Sequence, residues 1–290
     1  MQTRSLRSLV KISKVGSFAR AAEQLNMTLS ALSMQMKALE NELGVDLFDR
    51  SVRPPRLTPV GRSVVDQAIP LIRREESLID ICRPSHTLVG RFRIGFVTTA
   101  AVRLLPRFLE NAQRNAPHAR FEFETGLSRD LQDKVAHGQI DAAVLTDADG
   151  LPDTIAARVV REEPFVYAAH ETLLERGLEG LLAEHTFFHF MPDTGIGKLI
   201  ASEMADHKRP RTAATIVLDN LEAIMECVTA GLGFTLLPEP DVERYRSKAV
   251  KNVPTPKQVR RTLVLATLRE GALATRETSL AAMLDGDKGH

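Results

Sequence analysis

The chain has little that would mark it for export, for a membrane or for metal. No apolar run approaches the ~18 residues needed to cross a bilayer, so no membrane partner is expected. The opening stretch, MQTRSLRSLVKISK, alternates charged with apolar residues and lacks the core of a secretion signal. That makes the cytoplasm the expected compartment. There are only two cysteines, Cys82 and Cys227, with neither CxxC nor metal-ligand spacing. They read as reduced core thiols, with a thiol switch at Cys227 as the alternative. The eight histidines form no metal spacing either, so no metal or other cofactor is expected. Catalytic signatures are also missing: no GxSxG, no HExxH, no phosphate loop, and no GxGxxG after a strand. The stretch GIGKL at 195–199 lacks the spacing and the following hydroxyl of a phosphate loop. An enzyme is therefore not expected.

Net charge is nearly absent too, at +1, but its distribution is uneven. Residues 1–62 hold ten Lys/Arg against five Asp/Glu, whereas the rest holds 28 against 32. A basic N-terminal piece on a mildly acidic body points to nucleic-acid contact by that piece alone. Leu6, Leu9, Val10 and Ile12 fit one face of a helix that Gly16 ends, with Arg4, Arg7, Lys11 and Lys14 on its other faces. Ser17 is an N-cap for a second helix, FARAAEQL, in which Ala21 and Ala22 allow close packing. Asn26 and Met27 make a short turn. Thr28 or Ser30 caps a third helix running to about Leu43, where Gly44 stops it. Two short helices on a tight turn are a helix-turn-helix candidate. In VDLFDRSVRPPRLTP, Pro54 and Pro55 forbid helix, and Arg50, Arg53 and Arg56 sit near the tip of what reads as a β-wing. Such arginines suit phosphate or the minor groove.

The run GSFARAAEQLNMTLSALSMQMKALENELGVDLFDR followed by RLTPVG resembles the N-terminal domain of LysR-type transcriptional regulators. The resemblance is carried by Ser17-Phe18, Ala21-Ala22, Leu25, Ser33, Leu39-Glu40, Leu43-Gly44, Leu47-Phe48, Arg50 and Leu57-Thr58. It implies that the third helix lies in the major groove of promoter DNA. Within that helix Leu32, Met36, Leu39 and Leu43 form one apolar stripe, which is core. The opposite side, with Ser30, Ser33, Met34, Lys37 and Leu29, is the face offered to DNA. Ser17, Thr28, Arg50 and Arg53 complete the expected DNA contacts. Leu29-Ser30 stands where the family most often has Gln-Pro, and Met34 where Arg is common. This chain thus lacks the usual bidentate base readers, and its apolar pair suits thymine methyl groups, shape and phosphates instead.

Thr58 and Pro59 cap a long helix in which Val64, Ala68, Leu71, Glu75, Leu78 and Cys82 follow the spacing of a coiled-coil seam. Val65, Ile72 and Ile79 widen that stripe. The family uses such a helix for dimer contact, although Pro70 lies inside it. RPSHTLVG, at 83–90, reads as a hinge.

Beyond it, RFRIGFV, RFEFET and IDAAVLT alternate with helical segments, a βαβαβ pattern that predicts a parallel sheet. A second set of strands follows in PFVYAAH, TFFHFMP, ATIVLD and GFTLLP, and the chain returns with RRTLVLATL and a last helix near 272–285. This order resembles the family's effector domain, a two-lobed α/β fold of periplasmic-binding-protein type. The expected layout is a winged helix-turn-helix at 1–58, a dimerising linker at 59–90 and an effector domain at 91–290. In the last, lobe I spans about 91–162 and 266–290, and lobe II about 163–265. Ligands in such folds sit beyond the C-terminal ends of strands. Thr98 and Thr99, after the first strand, are either an anion site or ordinary helix caps. The resemblance implies that these two, with Ser128, Thr146, Asp147, Thr194, Gly195 and Phe234, face the cleft between lobes.

The expected protein is a ligand-responsive transcription factor, a homodimer or homotetramer on an interrupted palindrome. A small-molecule effector would shift its lobes and through them its grip on DNA. The rival readings are a redox regulator using Cys227 and a solute-binding protein with an N-terminal interaction module.

Overall fold

The structure, a computed structural model, describes residues 2–81, 88–148, 150–207, 210, 214–271, 273 and 276–284. The chain forms two compact units.

The first unit contains α1 (Thr3–Val15), α2 (Phe18–Gln24), α3 (Leu29–Leu43), the strands β1 (Phe48–Asp49) and β2 (Arg56–Leu57), and α4 (Pro59–Ile81). The expected punctuation sets its boundaries. Gly16 ends α1 at φ +66°, and Gly44 ends α3 at φ +69°, in the left-handed region that costs glycine nothing. The Ser17 hydroxyl accepts the Arg20 amide at 3.4 Å, and Thr28 accepts that of Ala31 at 3.1 Å. Thr58 takes the Gly61 amide at 2.9 Å just ahead of α4. Leu6, Leu9 and Ile12 pack with Ala21, Ala22, Leu32, Met36 and Leu39 into one core. β1 and β2 pair antiparallel, Phe48 opposite Leu57, and leave the arginine-bearing wing between them.

One buried carboxylate joins the third helix to the wing. Glu40 is 5% exposed, yet it accepts the amides of Leu47 and Phe48 at 2.9 and 3.1 Å. Its other oxygen takes Arg50 Nη2 at 2.6 Å. Charge-assisted bonds of this kind are about twice as strong as neutral ones. Arg50, expected on DNA, is thus first a strut of the wing.

The long helix departs from the expected seam. Val65, Ala68 and Ile72 are buried against the α1–α3 core, so its first half belongs to this unit and is not a free linker. Glu75, expected in the seam, pairs with Arg7 at 3.0 Å. Leu71 is 45% exposed and remains available. Pro70 lies within the helix without ending it. The side chains of Leu78 and Ile79, Cys82, and the first part of the predicted hinge lie outside the described residues.

The second unit begins with β3 (Gly90–Val97), α5 (Thr98–Asn115), β4 (Ala119–Gly126), α6 (Ser128–Ala136), β5 (Ala142–Asp147) and β6 (Ile155–His170). A 3-10 turn at Glu171–Leu174 leads to α7 (Gly177–Glu184), β7 (Phe187–Phe190), α8 (Gly195–Ala205), β8 (Thr215–Leu218), α9 (Leu221–Thr229) and β9 (Phe234–Pro238). Then come α10 (Glu239–Tyr245), β10 (Val250–Pro254), β11 (Arg260–Leu268) and α11 (Glu277–Leu284). The sheet of lobe I runs β4–β3–β5–β11–β6, and that of lobe II runs β10–β6–β9–β7–β8. β4, β3 and β5 are parallel, as predicted. β11 is antiparallel to β5 and β6, so the complete sheets are mixed. β6 is shared: residues 155–164 pair with β11, and 165–170 with β9 and β10. Each lobe has its own core; Phe108, at 5.1 Å edge-on to Phe121, sits in that of lobe I. The return to lobe I, expected near 266, comes at Arg260, because all of β11 pairs there.

Glu40→Ala leaves two buried amides without an acceptor and should cost about 2–4 kcal/mol. Hydrogen exchange is the check: the Leu47 and Phe48 amides should lose protection while the α1 amides keep most of theirs.

Candidate functional site

Two surfaces gather the predicted residues, one in each unit. In the first unit α3 buries Leu32, Met36 and Leu39 and turns Leu29, Ser30, Ser33, Met34 and Lys37 outward. Thr28 Oγ1 and Ser30 Oγ lie 3.1 Å apart at the helix start. Arg53 and Arg56 are exposed on the wing, beside Asp49, whose carboxylate is held below its usual range by hydrogen bonds from the Ser51 hydroxyl and amide. A basic wing beside an exposed polar helix face is the arrangement that touches DNA.

In the second unit a cavity of about 350 Å³ opens between the lobes. Four strands point their C-terminal ends at it: β3 delivers Thr98 and Thr99, β4 delivers Ser128, β7 leads to Thr194, and β8 leads to Asn220. Helices α5, α6, α8 and α9 start there, so their unpaired amides and positive dipole ends converge on the cavity. Val97, Val102, Leu127, Phe190, Ile196 and Tyr245 supply apolar wall.

The hydroxyls are not equivalent. Thr194 accepts the Gly197 amide at 3.0 Å and donates to the Met191 carbonyl at 2.8 Å, which occupies it as a cap. Ser128 Oγ accepts the Thr146 amide at 3.2 Å, leaving its proton to donate elsewhere. Thr99 Oγ1 accepts Arg261 Nη1 at 2.8 Å, with the same result. At Gly195 the lobes lie close together, since a Cβ there would be 3.3 Å from Thr146 Cγ2.

Behind Thr99 lies a charge network that the sequence reading missed. Arg261, fully buried on β11, donates through Nε to Glu163 at 2.9 Å and pairs with Asp241 at 3.1 Å. Arg103, on α5, grips Glu163 with both terminal nitrogens at 2.7 and 3.1 Å and Asp241 through Nε at 3.0 Å. Burial alone would push the Glu163 carboxyl up, but the two guanidiniums outweigh it and hold it below the usual range. Asp241 goes the other way: burial dominates and raises it despite the same two partners. A signal was available, because Arg261 falls on the inward-facing alternation of β11 with Leu263 and Leu265. A charge there demands buried partners.

Two expectations fail. Phe234 is fully buried in the lobe II core, its ring 5.2 Å from that of Phe187, and does not reach the cleft. As the first residue of β9 it pairs level with Phe187 at the start of the parallel strand β7, at the end of the sheet away from the cavity. Asp147 is not among the lining residues; its carboxylate turns back to accept the Gly150 amide at 3.1 Å. Arg244, Asp219 and Glu222 do line the cavity and went unnoticed. Among the described residues no group of His, Cys, Asp and Glu is arranged to hold a metal. No described helix is long and apolar enough to cross a membrane.

A family model for the bacterial regulatory helix-turn-helix proteins of the lysR family matches residues 3–62, and one for the LysR substrate binding domain matches residues 85–286. The chain belongs to the LysR family. It is a DNA-binding transcriptional regulator with an effector-binding domain. It is 27% identical to the transcriptional regulator BenM of Acinetobacter baylyi over 248 residues, 82% of this chain and 80% of that one. It is also 27% identical to the dual regulator GltC of Bacillus subtilis over 271 residues, 91% of this chain and 89% of that one. Among solved structures, a full-length OxyR variant of Pseudomonas aeruginosa shares the fold at TM-score 0.75 and 24% identity, covering 98% of this chain and 94% of that one. Full-length CbnR, solved with its target DNA, does so at TM-score 0.64 and 20% identity, covering 98% and 100%. The solute-binding reading is not favoured, since the regulator's DNA-binding domain matches as such. The redox reading is not favoured either; Cys227 is a half-buried thiol on α9 packed against the lobe II core.

Arg261→Met leaves the carboxylates of Glu163 and Asp241 to Arg103 alone. Breaking a buried charge pair costs about 3–5 kcal/mol. The only tyrosines, Tyr167 and Tyr245, both lie in this unit, so tyrosine fluorescence during denaturant unfolding should show the loss.

Proposed function

We propose that this regulator binds a small organic effector in the cleft between its two lobes and reads an interrupted palindrome as a homodimer or homotetramer. The convergence of helix N-termini from both lobes on one partly apolar cavity carries this reading. Thr98, Thr99, Ser128, Thr146 and Gly195 are the contacts, with Thr194 capping the helix beside them. The free protons of Thr99 and Ser128, together with the helix amides, favour an acceptor oxygen such as a carboxylate. The apolar wall takes the rest of the molecule. The lobe II side brings Asp219 and Glu222 together with Arg244, so it can meet both donors and acceptors of the effector.

Ser17, Thr28, Ser30, Ser33, Lys37, Arg50 and Arg53 serve DNA, the serines and threonine at the helix starts and the basic residues at phosphates. The effector shifts the equilibrium between lobe arrangements only if it binds them with unequal affinity. No catalytic step, cofactor or metal takes part, and the regulator works in the cytoplasm. The CbnR complex with target DNA supports the use of the winged unit.

Binding to a promoter duplex should weaken steeply with salt, and Lys37→Ala should lower the slope of log affinity against log salt by about one for each phosphate it no longer neutralises. Affinity unchanged across a salt titration would sink the DNA reading. Replacing Thr98 and Thr99 with leucine should abolish the effector response in a gel-shift or footprinting assay while leaving basal DNA affinity within about twofold, since neither residue touches the first core. Gly195→Val should prop the lobes apart and give the same phenotype, seen as loss of effector-induced thermal stabilisation.

A further inference from the structure

The outward face of α3 carries a chemistry that packing does not explain. Met34 is 69% exposed and Leu29 is 51% exposed, and neither joins the core built by Leu32, Met36 and Leu39. They alternate with Ser30, Ser33 and Lys37, so the face has one cation, two hydroxyls and two bare apolar side chains. It has no arginine or glutamine; Gln35, the nearest amide, is half-buried with its oxygen turned away from solvent. The arginine and glutamine that read guanine and adenine most often are therefore missing from this face, and Lys37 is its one cation.

In the major groove only one base edge is apolar, the C5 methyl of thymine. An unbranched, polarisable thioether adapts to such a group where a branched side chain would need one fixed fit. We propose that Met34 and Leu29 set the regulator's sequence specificity by packing on thymine methyl groups in the major groove. Ser33 supplies a single hydrogen bond that either a base edge or a phosphate accepts, and Lys37 holds the backbone. Specificity then resides in where methyl groups lie along the groove. Neither Met34 nor Leu29 joins the buried core of the winged unit, so both leave apolar surface for the groove. The proposal rests on α3 being the helix that enters the groove.

The test uses the full-length protein and a duplex selected by it from a randomised pool. Each thymine of that duplex is replaced singly by deoxyuridine, which removes the methyl and keeps every hydrogen-bonding group. At one or two positions in each half-site the loss should be about fourfold per buried methyl. Placing 5-methylcytosine opposite guanine at such a position should bind more tightly than unmethylated cytosine, which separates the methyl from other features of the A·T pair. Met34→Ala, at an exposed site, should bind thymine and deoxyuridine duplexes alike at the position Met34 contacts and keep the penalty at the position Leu29 contacts, with Leu29→Ala giving the converse. Lys37→Ala should instead weaken both duplexes equally and keep the deoxyuridine penalty. The proposal is overturned if no position responds to deoxyuridine, or if Met34→Ala and Leu29→Ala both retain the full penalty. A protein that binds no duplex at any salt overturns the DNA-binding reading itself, a result that none of the methyl arms can mimic.

Discussion

A buried guanidinium, that of Arg261, is the constraint around which the effector domain is organised. Removing such a charge from water is costly unless opposite charges and hydrogen bonds replace its hydration. Here they do: Glu163 and Asp241 accept from it or pair with it, and Thr99 takes the remaining nitrogen. Arg103 neutralises the second carboxylate, so two cations face two anions. The four come from different places: α5 of lobe I, the shared strand β6, the returning strand β11, and α10 of lobe II. An apolar cluster could bind the same elements together. It would not offer the Thr99 hydroxyl the guanidinium donor that occupies its acceptor side.

The winged unit uses the same physics on a smaller scale. Glu40 ties α3 to the first wing strand through two amides and to the wing through Arg50. Reading helix and wing are thereby held at a fixed spacing without help from the exposed side of α3. Leu29 and Met34 stand outside both that tie and the buried core. The apolar look of this helix comes from two separate faces, one that builds the core and one that does not.

Local signals made most of the first unit legible in the sequence. Gly16, Ser17, Thr28, Gly44 and Thr58 each set a boundary through a cap within a few residues of chain, which is why they could be read directly. The alternating strands of lobe I were legible for a similar reason. What escaped was long-range. The Arg103–Glu163 bond spans 60 residues of sequence and the Arg261–Thr99 bond 162, so no local pattern announces either. Phe234 was misplaced because the resemblance set it at the cleft, whereas the register places it at the start of β9, level with Phe187 and far from the ends of β7 and β8. In the long helix Val65, Ala68 and Ile72 face the α1–α3 core while Leu71 stays exposed, a division between own core and outer face that the heptad spacing alone does not reveal.

Strand β6 passes from one lobe to the other without a break, and β11 returns along it with a register irregularity between Leu263 and Val264. The lobes are thus joined by one continuous strand, β6, and by the loop at 255–259 that carries the chain from β10 back to β11. The irregularity sits in the lobe I half of β6, ahead of Phe165, where pairing passes to β9. The two sheets therefore meet along a strand that is regular at the junction itself, and the loop only closes the path back to lobe I.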